Sequence, residues 1–306
     1  MVIITVQRFN LDHVQSNIKT LFNSNNHWTN NEKPATYDAT CNRSQTKNWV
    51  SKFHDKETYK TLTITGKSTI GWMKRAIEIG AQTGRCSQMF AEEIQDLVAE
   101  FQSQFLDHLQ TLNATETGVF IRTEHVSLKY GQHGVGPYKD LKNVLESIVS
   151  SSKGHECLRA DNTECVIYMF PWVKIHPDLE FRVFVHQNSI TGISHQNLFS
   201  VNRTLSVMTD GDLEERIVAP LLRYFDEHIK KQMAEFGNYC IDFAFSDVGG
   251  EGYFIEANPF GAENAAGSAL FHWLKDSELL LGDGSRVELR FNDRDEPVEA
   301  AVTSWL

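Results

Sequence analysis

Apolar positions recur along this chain with two periods, one of strands and one of helices. In residues 240–261, CIDFAFSDVGGEGYFIEANPFG, two apolar runs flank a segment rich in Gly and Asp, which predicts a β-hairpin. A turn centred on Gly249 sets Asp242 opposite Glu256, Phe243 opposite Ile255 and Phe245 opposite Tyr253. The face that carries Asp242 and Glu256 also carries Asn258. A second hairpin is expected in residues 179–197, where Phe181, Val183 and Val185 alternate with Arg182, Phe184 and His186 and the turn falls near Asn188 and Ser189. Residues 89–112 keep a helical period through Phe90, Ile94, Leu97, Val98, Phe101, Phe105, Leu109 and Leu112, with Ser87 as a cap. Residues 213–236 form another amphipathic helix in which Pro220 marks a kink or a break.

The remaining elements are shorter. MVIITV reads as a first strand, and residues 11–22 have a helical spacing. Residues 23–51 are polar and irregular, residues 58–65 alternate as a strand, and residues 70–79 form a helix ended by Gly80. Then come a short strand at 119–122, a helix at 138–149 and a buried strand at 164–175 that leads into a linker. A helix over 269–276 and an edge strand, VELRFND, close the chain.

With 306 residues, 41% hydrophobic and 23% charged, the chain has the composition of an ordinary globular protein and room for one large or two smaller domains. No apolar run approaches the roughly 18 residues of a membrane span, and the start lacks the basic flank of a signal peptide, so no membrane partner is expected. Five cysteines without paired spacing imply a reducing, cytoplasmic setting. Net charge is −11, unevenly spread: residues 1–75 carry 11 Lys or Arg against 5 Asp or Glu. That basic part, with Trp28, Trp49, Phe53, Tyr59 and Trp72, could bind single-stranded nucleic acid by phosphate contact and stacking, or fold its aromatics into a small core under solvated lysines.

Two carboxylates opposed across neighbouring strands repel each other unless a cation lies between them. Asp242, Glu256 and Asn258 make an oxygen set suited to Mg²⁺, or else one carboxylate faces solvent through a shifted register. Arg182, mid-strand among apolar neighbours, needs a partner: a bound phosphate, or Glu180 or Asp242. Arg122, Lys129 and the glycines Gly131, Gly134 and Gly136 could fold over a polyphosphate, although glycines in a connecting loop are more often turn residues. No histidine pair has zinc spacing on a firm helix, and His195 is at most a substrate contact.

Taken together, EFRVFV, the ISHQN turn, CIDFAF, FIEANPFG and ALFHW resemble the cell division cycle protein 123 family, a branch of the ATP-grasp superfamily. The resemblance covers roughly residues 119–273 and is most specific in WVKIHPDLEFRVFV. It implies an α+β, ATP-grasp fold: two α+β lobes with antiparallel sheets holding ATP between them. By that resemblance Arg122 and Lys129 face phosphate, their charges swapped relative to the family. Trp172 and Val173 receive adenine at the linker, with Pro171 unable to give an N–H. Arg182 contacts the outer phosphates, and Asp242, Glu256 and Asn258 hold Mg²⁺, Glu256 replacing an aspartate. The paired Arg122 and Lys129 are also similar to small bacterial and phage ATP-grasp proteins. Three features depart from the family: Gln196 stands where it has an arginine, the 129–136 loop is shorter, and the N-terminus differs.

The expected organisation is therefore an N-terminal region 1–118 for acceptor or partner, a smaller lobe 119–165 and a larger lobe 166–306 with the metal site. The first functional expectation is a Mg²⁺- and ATP-dependent ligase that activates a carboxylate or phosphate oxygen by means of Arg122, Lys129, Arg182 and the metal. Its acceptor, a small molecule, a peptide or RNA, is not named by the sequence. The second, from the family resemblance, is an ATP-binding chaperone that assembles translation initiation factor 2. The third is an RNA end-joining enzyme that holds RNA on its basic N-terminal part.

Overall fold

A computed structural model describes residues 2–18, 20–24, 37–260 and 266–295. Trp28 and Gly261, named above, lie outside these residues. Nine strands are found among the described residues: β1 (Ile3–Asn10), β2 (Lys60–Ile64), β3 (Val119–Arg122), β4 (Cys165–Pro171), β5 (Glu180–His186), β6 (Ser189–His195), β7 (Tyr239–Phe245), β8 (Gly252–Pro259) and β9 (Arg286–Arg294). They form a six-stranded sheet, in order β1-β9-β6-β5-β7-β8, and a three-stranded sheet, β2-β4-β3. The fold is α+β, with antiparallel pairing throughout the small sheet and in most of the large one. Among these strands only β9 pairs in parallel, with β1 and with β6.

The chain divides into two compact units, Gln45–Lys174 and the described parts of Met1–Ser44 with Ile175–Leu306. This differs from the expected division at 118 and 165, and β1 supplies the reason. It pairs with β9, so the N-terminus joins the C-terminal unit. VELRFND is likewise not an edge strand; β9 lies between β1 and β6 with its central residues buried.

In the unit Gln45–Lys174, β2, β3 and β4 put Leu62, Ile64, Val119, Ile121, Ile167 and Met169 into one core with the helices Lys67–Thr83, Ala91–Thr111 and Leu141–Ser150. The long helix keeps its predicted stripe, and the Ser87 hydroxyl accepts from Met89 N at its entrance. Gly80 does not end its helix but lets it touch the helix Leu141–Ser150: an added Cβ would lie 1.8 Å from the Val149 carbonyl oxygen. The helix stops at Gly84, at φ 67°.

In the other unit, β5 and β6 join through Gln187 and Asn188, both at positive φ as a two-residue hairpin turn requires. The helical run from Asp210 to Ile229 buries Leu213, Ile217, Leu221, Phe225 and Ile229, and Tyr224 packs on Phe243 at 5.1 Å. Around Pro220 the run changes from a π-helical turn, Glu214–Val218, to an α-helix, Ala219–Tyr224, rather than breaking. No regular helix covers 269–276; a single helical turn, Ser277–Leu280, follows instead. Among the described residues no helix is long and apolar enough to cross a membrane.

Candidate functional site

Strand pairing sorts the large sheet into cross-strand rows whose side chains share a face. One row reads Val6, Leu289, Ile193, Val183, Ile241, Ala257 and is apolar throughout. The adjacent row, one residue along each strand and so on the opposite face, reads Gln7, Arg290, Ser194, Arg182, Asp242, Glu256 and is polar throughout. Such a row is unusual beside an apolar one in the interior of a sheet, and it gathers four charges.

The expected pairing of Asp242 with Glu256 is present. Beyond it a bulge between Asp242 and Phe243 shifts the register, so that Phe243 faces Phe254 and Phe245 faces Gly252, in place of Ile255 and Tyr253. The bulge leaves the carboxylate pair at the end of the regular ladder. Arg182 lies beside Asp242 on the next strand and grips it with both ends of the fork, Nε to Oδ1 at 2.8 Å and Nη2 to Oδ2 at 2.7 Å. Its Nη1 donates to the Gly267 carbonyl at 2.7 Å. Of the partners left open for Arg182, the structure shows Asp242.

Gln196 adds a bond to Asp242 Oδ2 at 3.2 Å, and Asn258 Nδ2 reaches the same oxygen at 3.5 Å and Glu256 Oε1 at 3.1 Å. Asp242 is buried, and its carboxyl is held above the usual range, by burial first; Arg182 pulls it down and Glu256 raises it again. The Arg182 guanidinium is disfavoured by burial, but Asp242 more than offsets this and raises its pKa.

The polar ends of Asp242, Glu256 and Asn258 thus meet within hydrogen-bond distance. Two carboxylates and an amide whose half-turn exchanges nitrogen for oxygen fit a hard cation such as Mg²⁺. Among the described residues no three His, Cys, Asp or Glu side chains group to hold a metal.

In the unit Gln45–Lys174, Arg122 ends β3 and is 1% exposed. Its Nε donates to the Thr46 hydroxyl at 2.9 Å, and its guanidinium lies 4.9 Å from the centre of the Trp49 ring. Thr46 and Trp49 belong to a helix, Thr46–Phe53, in a region whose polar sequence reads as irregular. Lys129 is exposed on a 3₁₀ turn, its Nζ 5.4 Å from the Tyr130 ring centre.

The glycine segment is a set of turns bound to the helix Leu141–Ser150. Gln132 N donates to Ser150 Oγ and His133 N to Ser147 Oγ, while Gly131 and Gly134 donate to carbonyls of the segment itself. Those four N–H groups are taken, which favours the turn reading over a phosphate cradle. Trp172 is half-buried and donates its N–H to the Gly118 carbonyl; Val173 is exposed. His195 is buried, its Nε2 3.1 Å from the Pro177 carbonyl.

The aromatics of the basic segment are also largely internal. Trp49 and Trp72 are buried and Tyr59 stacks on Phe170, so the core alternative holds for these three. Sequence reasoning missed Ser194, Glu288 and Arg290 on the polar face, although Glu288, Arg290 and Asn292 alternate with Val287, Leu289 and Phe291 in plain view.

Fold and polar row together define an α+β protein with a charged sheet face. A sequence model of the D123 family matches residues 138–304, more than half of the chain. The chain belongs to this, the Cdc123, family. Its structure is similar to Cdc123 from Schizosaccharomyces pombe in a C-terminally truncated form, with a TM-score of 0.53 and 17% identity over 82% of this chain and 97% of that one. A second structure of Cdc123 from the same organism gives 0.51 and 16% over the same shares.

Proposed function

We propose that this chain is an ATP-grasp protein that binds ATP with Mg²⁺ through Asp242, Glu256 and Asn258. The observation that carries the reading is the meeting of those three side chains of β7 and β8 on one sheet face, beside a buried arginine. A bound Mg²⁺ would supply charge neutralisation at the phosphates. The chain's own residues do the positioning: Arg182 and Gln196 orient Asp242, and the β7–β8 ladder sets Glu256 across from it. By the family resemblance, Lys129, Arg122, Trp172 and Val173 are the candidates for phosphate and adenine. Among these Lys129 is an exposed charge, whereas Arg122 is buried under Trp49.

The reaction proposed is ligase-type activation of a carboxylate or phosphate oxygen for attack by a second nucleophile. Incubation with Mg²⁺-ATP and pools of metabolites, peptides or RNA, read by mass spectrometry, tests it. ADP formed with a specific acceptor indicates phosphoryl activation, and AMP indicates adenylation. A second reading, an assembly chaperone for a translation initiation factor subunit, is favoured by one feature. Arg182 is committed to Asp242 and Gly267, so it brings little charge to a transferring phosphoryl group. Tight Mg²⁺-ATP binding without turnover against any acceptor, together with co-purification of such a subunit, supports that reading over the ligase.

A further inference from the structure

The polar row continues past Arg182 to a second buried arginine. Arg290 is 7% exposed and Glu288, two residues along the same strand and on the same face, is 1% exposed. Arg290 Nε donates to Glu288 Oε1 at 2.7 Å, which holds the guanidinium from below. Beyond Glu288, aromatic rings and the backbone and side chains of a single segment, 267–276, hold that guanidinium. Nη1 donates to the Leu270 carbonyl at 3.1 Å, Nη1 and Nη2 donate to the two Asp276 oxygens at 3.0 and 2.8 Å, and the plane lies 4.0 Å from the centre of the Phe271 ring. Ser194, between Arg290 and Arg182 in the row, accepts from Leu270 N at 3.0 Å.

This segment replaces the helix expected at 269–276, and its path follows from these bonds. At Leu270 both backbone groups are held by side chains of the sheet, the N–H by Ser194 and the carbonyl by Arg290, where a helix would pair them along its own backbone. Its start carries the Gly267 carbonyl that takes the third donor of Arg182. One connected set of contacts therefore runs from Glu288 and Arg290 through residues 270–276 and back through Gly267 to Arg182 and Asp242. From Arg290 to Asp242 is three strand spacings of about 4.8 Å, roughly 14 Å in all.

We infer that Arg290, braced by Glu288 and Asp276, is a positioning residue for the cation site at Asp242, Glu256 and Asn258, acting through the segment 267–276. The inference rests on the proposed Mg²⁺ site. Arg182 can orient Asp242 only from a fixed place, and Gly267 fixes the end of the fork that Asp242 does not. Loosening the strap frees the guanidinium to tilt and carries Oδ1 and Oδ2 away from Glu256. Partners that stand behind a metal ligand typically change metal affinity by about 10–100-fold when removed.

The test is Mn²⁺ binding to the full chain in the presence of ATP, titrated by electron paramagnetic resonance, with amide exchange measured across 267–271. Asp276→Asn removes the charge that Arg290 grips, and Ser194→Ala removes one small hydroxyl and is the variant least able to disturb folding. Asp276→Asn should weaken Mn²⁺ by about tenfold and Ser194→Ala by about threefold, with faster exchange at 267–271 in both. Arg290→Lys, which keeps the charge and loses the fork, should retain more affinity than Arg290→Gln. If exchange quickens while Mn²⁺ affinity stays at the wild-type value, the strap is structural only and the inference is overturned. If the wild-type chain binds no Mn²⁺, the cation site itself is wrong and the inference fails with it.

Discussion

Arg182 and Arg122 both stand on sheet strands and both are nearly excluded from water, at 9% and 1% exposure, yet their surroundings differ in kind. Arg182 meets a carboxylate head-on with two parallel bonds and spends its remaining fork on a carbonyl. Arg122 gives its Nε to a hydroxyl and lays its face on an indole. In the first case the neighbour's charge is matched, and the pair adds little net field. In the second the guanidinium lies against an aromatic ring, and its charge joins burial in holding down the pKa of His54. The same residue type on a sheet strand is thus gripped by a carboxylate of the next strand in one unit, and in the other has a hydroxyl and an indole face among its contacts.

Substitutions can sharpen that contrast, the largest effect coming first. Arg182→Ala should destabilise the protein by about 4 kcal/mol in denaturant titrations, because it leaves the buried Asp242 carboxylate without its partner. A loss below about 1 kcal/mol would mean that Asp242 is protonated or solvated without Arg182. Trp49→Ala should cost about 3 kcal/mol by opening a cavity beside a buried guanidinium. It should also raise the pKa of His54, since water then screens Arg122.

Smaller, and dependent on pH, is His54 itself. Burial, and after it the charge of Arg122, lowers its pKa from 6.5 to about 4. The unfolded side chain takes up its proton near pH 6.5 and the folded one only near 4. The stability this group contributes is therefore present above pH 6.5, is lost as pH falls toward 4, and changes no further below that. Over this window the wild type should lose about 3 kcal/mol that His54→Asn does not. Parallel curves for the two proteins would contradict the assignment.

How far the sequence could be read differs between the same two regions. The Asp242–Glu256 pair was legible because hairpin register is local: one turn and two apolar runs determine it until the bulge intervenes. The alternation of Glu288, Arg290 and Asn292 was equally visible, but its meaning was not. A strand's place in a sheet depends on partners far away in sequence, here β1, which lies about 280 residues earlier and turns an expected edge into an interior strand. The cover over Arg122 was hidden for another reason. Thr46–Phe53 is only eight residues long and follows a polar, Asn- and Thr-rich stretch, so its short stripe of Trp49, Val50 and Phe53 does not stand out; burial of Trp49 and the bond of Thr46 to the Thr123 carbonyl hold it. The 269–276 segment misled because Leu270, Phe271 and Trp273 are spaced by burial along a bonded strap and not by a helix.

The central claim is that the far end of the polar row is a cation site. Asp242 is a poor residue with which to test it, because removing that carboxylate also breaks the buried pair with Arg182. Glu256 is only half-buried and faces Asp242 from the edge strand. The direct measurement is Mn²⁺ affinity in the presence of ATP for the wild type and Glu256→Gln, with melting temperature recorded alongside. The prediction is clear binding by the wild type, weakened at least about tenfold in Glu256→Gln at nearly unchanged stability. Equal affinities in the two proteins would contradict the claim.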